Sequence, residues 1–126
     1  MKTKWLDRRV AAPGPFLCLV LSQAECDAAM KACKVQPQPY LSTPRADATT
    51  HLLCNDKGES VAIVALGNTS GRSSIEIAGL LVHEAVHVWQ EHCANIGERR
   101  CGSEQEAYGI QGIAQTLLEE YARRLS

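Results

Sequence analysis

His83, Glu84, Ala85, Val86 and His87 form an H-E-x-x-H run inside an apolar stretch, Ile75 to Cys93, that reads as a helix. At 3.6 residues per turn, histidines four apart stand about 40° apart on one helical face, so both imidazoles can reach one metal ion. Glu84 then lies beside the ion, where a carboxylate can take a proton from a bound water whose pKa the metal has lowered to about 7. That is the chemistry of metal-assisted hydrolysis, with one zinc ion per chain as the cofactor it calls for. Shuffling the chain's four histidines and ten glutamates would produce the run roughly once in a hundred sequences, which makes coincidence a poor account of it.

A catalytic zinc usually takes three protein ligands, so a third must come from elsewhere in the chain. Ser103 to Leu125 reads as a second helix in which Ile110, Ile113, Leu117 and Tyr121 form one apolar stripe. Extending the stripe one turn back reaches Glu106, whereas Glu104 points about 160° away. A carboxylate on a core-facing stripe needs a strong partner, and a zinc ion held by His83 and His87 would supply one. The helix carrying the histidines is apolar nearly all round, so it is expected to be largely buried, which sharpens the need to pair its polar groups. His92 lies about 140° round from His87 and reads as a polar helix-end residue. Glu91 serves either as a partner for an imidazole N–H or as a solvated group, and Glu76 either lines a cleft or serves the helix N-terminus.

His83-Glu84-x-x-His87 followed by Glu104-Gln105-Glu106-Ala107-Tyr108, with Glu106 nineteen residues beyond the second histidine, resembles the zincin metallopeptidases of the gluzincin, thermolysin-like group. The resemblance covers about Ile75 to Ala114. It implies His83, His87 and Glu106 as zinc ligands, Glu84 as general base, and a peptide or protein substrate laid along an edge strand, here Ser60 to Leu66. The chain is much shorter than a secreted gluzincin protease and lacks the second subdomain that walls the substrate cleft. It is therefore more similar to the small single-domain minigluzincins and to the metallopeptidases of phage and prophage clusters. It departs from the group in having no histidine or tyrosine at an evident position for stabilising an oxyanion; Tyr108, His51, Tyr40 and Arg72 are the candidates.

These residues must be positioned by a small fold. The chain has 126 residues, 45% of them apolar and 21% charged, values of one globular domain with one core. Its expected architecture is α+β, a minimal zincin-like domain over residues 1–126 in which a sheet of about three strands packs on the H-E-x-x-H helix and the C-terminal helix. Phe16 to Leu21 reads as a strand, and Ser22 with Glu25 opens a helix to about Lys34. The prolines at 37, 39 and 44 make a loop of 36–48, and Thr49 to Asn55 and Ser60 to Leu66 read as a hairpin joined at Asp56-Lys57-Gly58-Glu59. Ser73 or Ser74 caps the motif helix, and residues 1–14 are expected to be poorly ordered.

The formal net charge of −1, with no basic block beyond the Arg99–Arg100 and Arg123–Arg124 pairs, gives nucleic-acid or anionic-membrane binding little electrostatic support. The longest apolar run, Phe16 to Leu21, is far too short to span a bilayer, and the residues before it fit a signal peptide poorly. Of the six cysteines, Cys18, Cys26, Cys33 and Cys54 read as small core or strand residues, while Cys93 and Cys101 flank a polar connection and are placed for a clasp. A cytoplasmic protein is the expectation. Two other classes compete with a peptidase: a catalytically inactive, zinc-stabilised interaction domain, and a carboxylate di-iron protein, which would need a second Glu-x-x-His element and four helices.

Overall fold

In the computed structural model, which describes residues 2–6, 15–97 and 102–125, the chain runs β1 (Phe16–Val20), α1 (Gln23–Ala32), β2 (Ala48–Cys54), β3 (Ser60–Leu66), α2 (Ser74–Asn95) and α3 (Ser103–Leu125). The fold is α+β, with three helices around one three-stranded mixed sheet. β3 is an unbroken apolar run from Val61 to Leu66, the pattern of a strand covered on both faces, and every one of these residues is buried. It lies in the centre of the sheet, in the order β1-β3-β2. β1 pairs with it in parallel from Phe16 opposite Val61, and β2 antiparallel from Ala48 opposite Leu66 to Cys54 opposite Ser60. The connection from β2 to β3 is the expected hairpin; the Asn55 side chain accepts from the N–H groups of Lys57 and Glu59, and Gly58 takes φ 77°.

Ser60–Leu66 therefore has no free edge to offer a peptide, which corrects the expectation drawn from the zincin resemblance. Both of its hydrogen-bonding edges are occupied, and β2 is the strand at that side of the sheet. A continuous apolar run announces burial on both faces, but it is equally compatible with a central strand and with an edge strand under a loop.

Alternating residues of β1 and β3 feed two cores. Leu17, Leu19, Ala62, Val64 and Leu66 pack with Ile77, Leu81, Ala85, Val88 and Trp89 of α2 and with Ile113 and Leu117 of α3. Cys18, Val20, Val61, Ile63 and Ala65 face Cys26, Ala29 and Met30 of α1. In this second core the thiols behave as small hydrophobes, and burial pushes Cys18 up to about 12 and Cys26 up to about 11. Cys93 is disulfide-bonded; the other end of the expected clasp, Cys101, lies outside the described residues.

The helix starts follow local rules. Ser22 accepts from the Glu25 N–H, and the Glu25 carboxylate accepts from the Leu21 N–H. Ser73 and Glu76 form a complete capping box on α2, so Glu76 serves the helix N-terminus; the backbone and hydroxyl bonds to Ser73 hold its carboxyl below the usual range. Residues 2–6 differ from the expectation of poor order: Leu6 donates its N–H to the Leu17 carbonyl at 3.2 Å, Trp5 packs on Phe16, and Lys4 pairs with Glu120 at 3.1 Å. The remainder of that expectation, residues 7–14, lies outside the described residues.

Candidate metal centre

α2 is 22 residues long, about 33 Å, and the seven residues between it and α3 reach at most about 25 Å, so the two helices must pack antiparallel. Their closest approach sets the register. A Cβ placed on Gly109 would stand 2.2 Å from Trp89 Cζ3, so only a residue without a side chain lets the indole lie against α3. Trp89 in turn packs its ring against His92, with centroids 5.1 Å apart. His92 is the polar residue expected in the last turn of α2, and it is buried.

Six and two residues before Trp89 on α2 stand His83 and His87. Their Nε2 atoms are 3.2 Å apart with the rings edge to face. Two ligands about 2.05 Å from a tetrahedral metal ion are about 3.3 Å apart, so the spacing of this pair suits a shared ion as well as a hydrogen bond between the rings. His83, Glu84 and His87 bring one ligand atom each within 4.8 Å of one another, the one such group among the described residues. The two histidines share one surface of the helix and Glu84 lies on another. His83 is 68% exposed, whereas the Glu84 side chain is 7% exposed and points towards the sheet. There Glu84 Oε1 accepts a hydrogen bond from Thr50 Oγ1 of β2 at 3.0 Å, while Oε2 lies 3.9 Å from His83 Nε2.

The expectation of a largely buried motif helix needs correction. Ile77, Leu81, Glu84, Ala85, Val88 and Trp89 are buried, but Ile75 is 82% and Val82 40% exposed, and both histidines face solvent. The apolar residues run round the helix, but the sheet and α3 cover only one side of it. The histidines are therefore open to water and to an incoming ligand, and the carboxylate between them is not.

Glu106 does not join the group. It is half-buried on the first turn of α3. The buried carboxylate of α3 is instead Glu120, seven residues beyond Ile113 on the stripe that points to Glu106. Glu120 receives Lys4 at 3.1 Å, Arg123 at 2.6 Å and Arg124 at 3.8 Å. The Arg123 hydrogen bonds, aided by Lys4, hold its carboxyl down to about 2. Thr50 was equally unmarked in the sequence, although its place in the alternation of β2, two residues from the core-facing Ala48, puts it on the α2 side.

Two of the oxyanion candidates, His51 and Arg72, are engaged elsewhere, and Tyr108 faces solvent. His51 Nε2 bonds to the Tyr40 carbonyl at 2.8 Å, Arg72 is paired with Asp47, and Tyr108 is 70% exposed. Glu91 is half-buried and lines, with Leu52, Val88 and His92, a small cleft of about 100 Å³ between β2 and the turns of α2 that follow His87. The chain matches no protein family, no curated protein and no solved structure.

Proposed function

We propose that the chain is a zinc-dependent peptidase in which His83 and His87 bind the metal and Glu84 is the general base. The observation that carries this reading is the spacing of the two Nε2 atoms, 3.2 Å, with a sheltered carboxylate oxygen 3.9 Å from one of them. A zinc ion bound there would acidify a water and polarise the scissile carbonyl. Glu84 takes the proton released by that water on Oε2 and delivers it to the leaving amine. Glu106 is the proposed third ligand. The open edge of β2 replaces β3 as the proposed track for a peptide or protein substrate, with the cleft at Leu52 and Val88 able to take a small side chain.

The rival reading, zinc as a staple for an inactive interaction domain, has less support. His83 and His87 belong to one helix and both face solvent, so a staple would depend on Glu106 alone for its tie to a second element. The four free thiols at Cys18, Cys26, Cys33 and Cys54 favour a cytoplasmic setting, and the disulfide at Cys93 speaks against it. No helix among the described residues is long and apolar enough to cross a membrane.

Elemental analysis of the wild type, His83→Ala, Glu106→Ala and Glu84→Gln, paired with cleavage of a mixed-sequence quenched fluorescent peptide library, tests the proposal. The expected result is about one zinc per wild-type chain, lost in His83→Ala and Glu106→Ala, and retained without cleavage in Glu84→Gln. Wild-type protein that takes up no zinc when it is offered would refute the reading. Full retention of zinc by Glu106→Ala would remove that residue alone.

A further inference from the structure

His83, Glu84 and His87 present a difficulty for any hydrolytic use of the site. Their three ligand atoms lie within 4.8 Å of one another, so the carboxylate is close enough to become a ligand itself. A carboxylate on the metal would fill the position that a water needs and would no longer be a base. Whatever keeps Glu84 beside the metal, and off it, therefore decides whether the site can work.

We infer that Thr50 is the positioning residue that does this, by holding Glu84 Oε1 in a hydrogen bond from the edge strand. The inference rests on the zinc-peptidase reading above and adds to it a residue from outside the motif. Thr50 Oγ1 stands 3.0 Å from Oε1 in a part-buried contact across 34 residues of sequence. Its backbone is fixed by pairing with Val64 of the central strand. A β-branched side chain on a strand has few χ1 choices, so the hydroxyl is presented with little entropic cost. Glu84 itself is 5% exposed, and Thr50 is the protein group that donates a hydrogen bond to it among the described residues. With one oxygen tethered to β2, the other is left on the His83 side at 3.9 Å, beyond bonding distance to that imidazole. The tether also joins the proposed base to the strand along which a peptide would lie, so the two are held in one register.

Cobalt(II) in place of zinc gives a readout that does not depend on turnover, because its visible d–d bands report the ligand set. Wild type, Thr50→Val, Thr50→Ser and the double variant Thr50→Val/Glu84→Gln are each titrated with cobalt(II). Thr50→Val preserves the shape of the side chain, and a thermal melt of each variant checks that it folds. The expected result is that Thr50→Val shifts the bands and tightens cobalt binding about tenfold as Glu84 falls onto the metal. Thr50→Ser should restore the wild-type spectrum, and the added Glu84→Gln should abolish the gain. On a peptide from the library that the wild type cleaves, Thr50→Val should lower kcat at least tenfold with KM within twofold, and Thr50→Ser should recover it. A Thr50→Val protein that matches the wild type in spectrum, affinity and kcat would overturn the role of Thr50 while leaving the peptidase reading standing. Thr50→Ser behaving like Thr50→Val would overturn it too, since shape and not the hydroxyl would then matter. A wild type that binds neither cobalt nor zinc removes the metal site itself, and this inference with it.

Discussion

Replacing Gly109 by alanine should destabilise the protein, although an alanine in the middle of a helix ordinarily stabilises. The new Cβ would meet three atoms of the Trp89 ring at 2.2, 2.4 and 2.7 Å. Trp89 is 4% exposed and its ring is rigid, so the clash is relieved only by moving the indole or by separating α2 from α3. Such overpacking costs about 3 kcal/mol, against which helix propensity returns about 1 kcal/mol, leaving about 2 kcal/mol of net loss. With an unfolding entropy of about 2.1 cal/mol/K per residue over 126 residues, that is a fall in Tm of about 8 °C. Gly112, one turn further along α3, supplies the control: nothing lies within 4 Å of a Cβ there. Gly112→Ala should gain about 1 kcal/mol and raise Tm by about 4 °C. Calorimetry or a circular dichroism melt of the two variants reads the opposite signs directly. A Gly109→Ala protein as stable as Gly112→Ala would refute the close α2–α3 contact.

Glu120→Gln should cost about 2 kcal/mol at neutral pH, a figure reduced for the solvent around Lys4 and Arg123, whose side chains are 55% and 54% exposed. Because the folded carboxyl sits at about 2, below its ordinary value of 4.5, this stabilisation is present above pH 4.5 and is lost as the pH falls towards 2. Urea midpoints of the wild type and the variant should therefore converge on acidification, and a constant gap would contradict the assignment. Among the described free cysteines, exposed Cys54 should react with Ellman's reagent in the native state, whereas buried Cys18, with its thiol at about 12, should react only on unfolding. Zinc stoichiometry in His83→Ala and cobalt spectra of Thr50→Val complete the set.

Much of this protein is decided within a few residues of chain. The apolar runs of β1 and β3, the hairpin between β2 and β3, the Ser73–Glu76 cap and the extents of α2 and α3 follow from periods and caps that act over one turn or one strand. The pairing of His83 with His87 is of the same kind, because four residues along a helix bring two side chains to one place whatever surrounds them. Which surface is covered is a different matter, since burial depends on partners far off in sequence. α2 is apolar all round, yet only packing against β2, β3 and α3 determined that Glu84 turns inward and both histidines outward. On α3 one heptad stripe holds both Glu106 and Glu120, and it is Glu120 that is buried, where Lys4 from the other end of the chain pairs with it. The centre of the sheet fell to β3 because β1, arriving in parallel across α1 and β2, took its second edge. Thr50 met Glu84 for the same reason: hydrogen bonds between a strand and a helix 34 residues apart are set by how layers stack, and no local period encodes that.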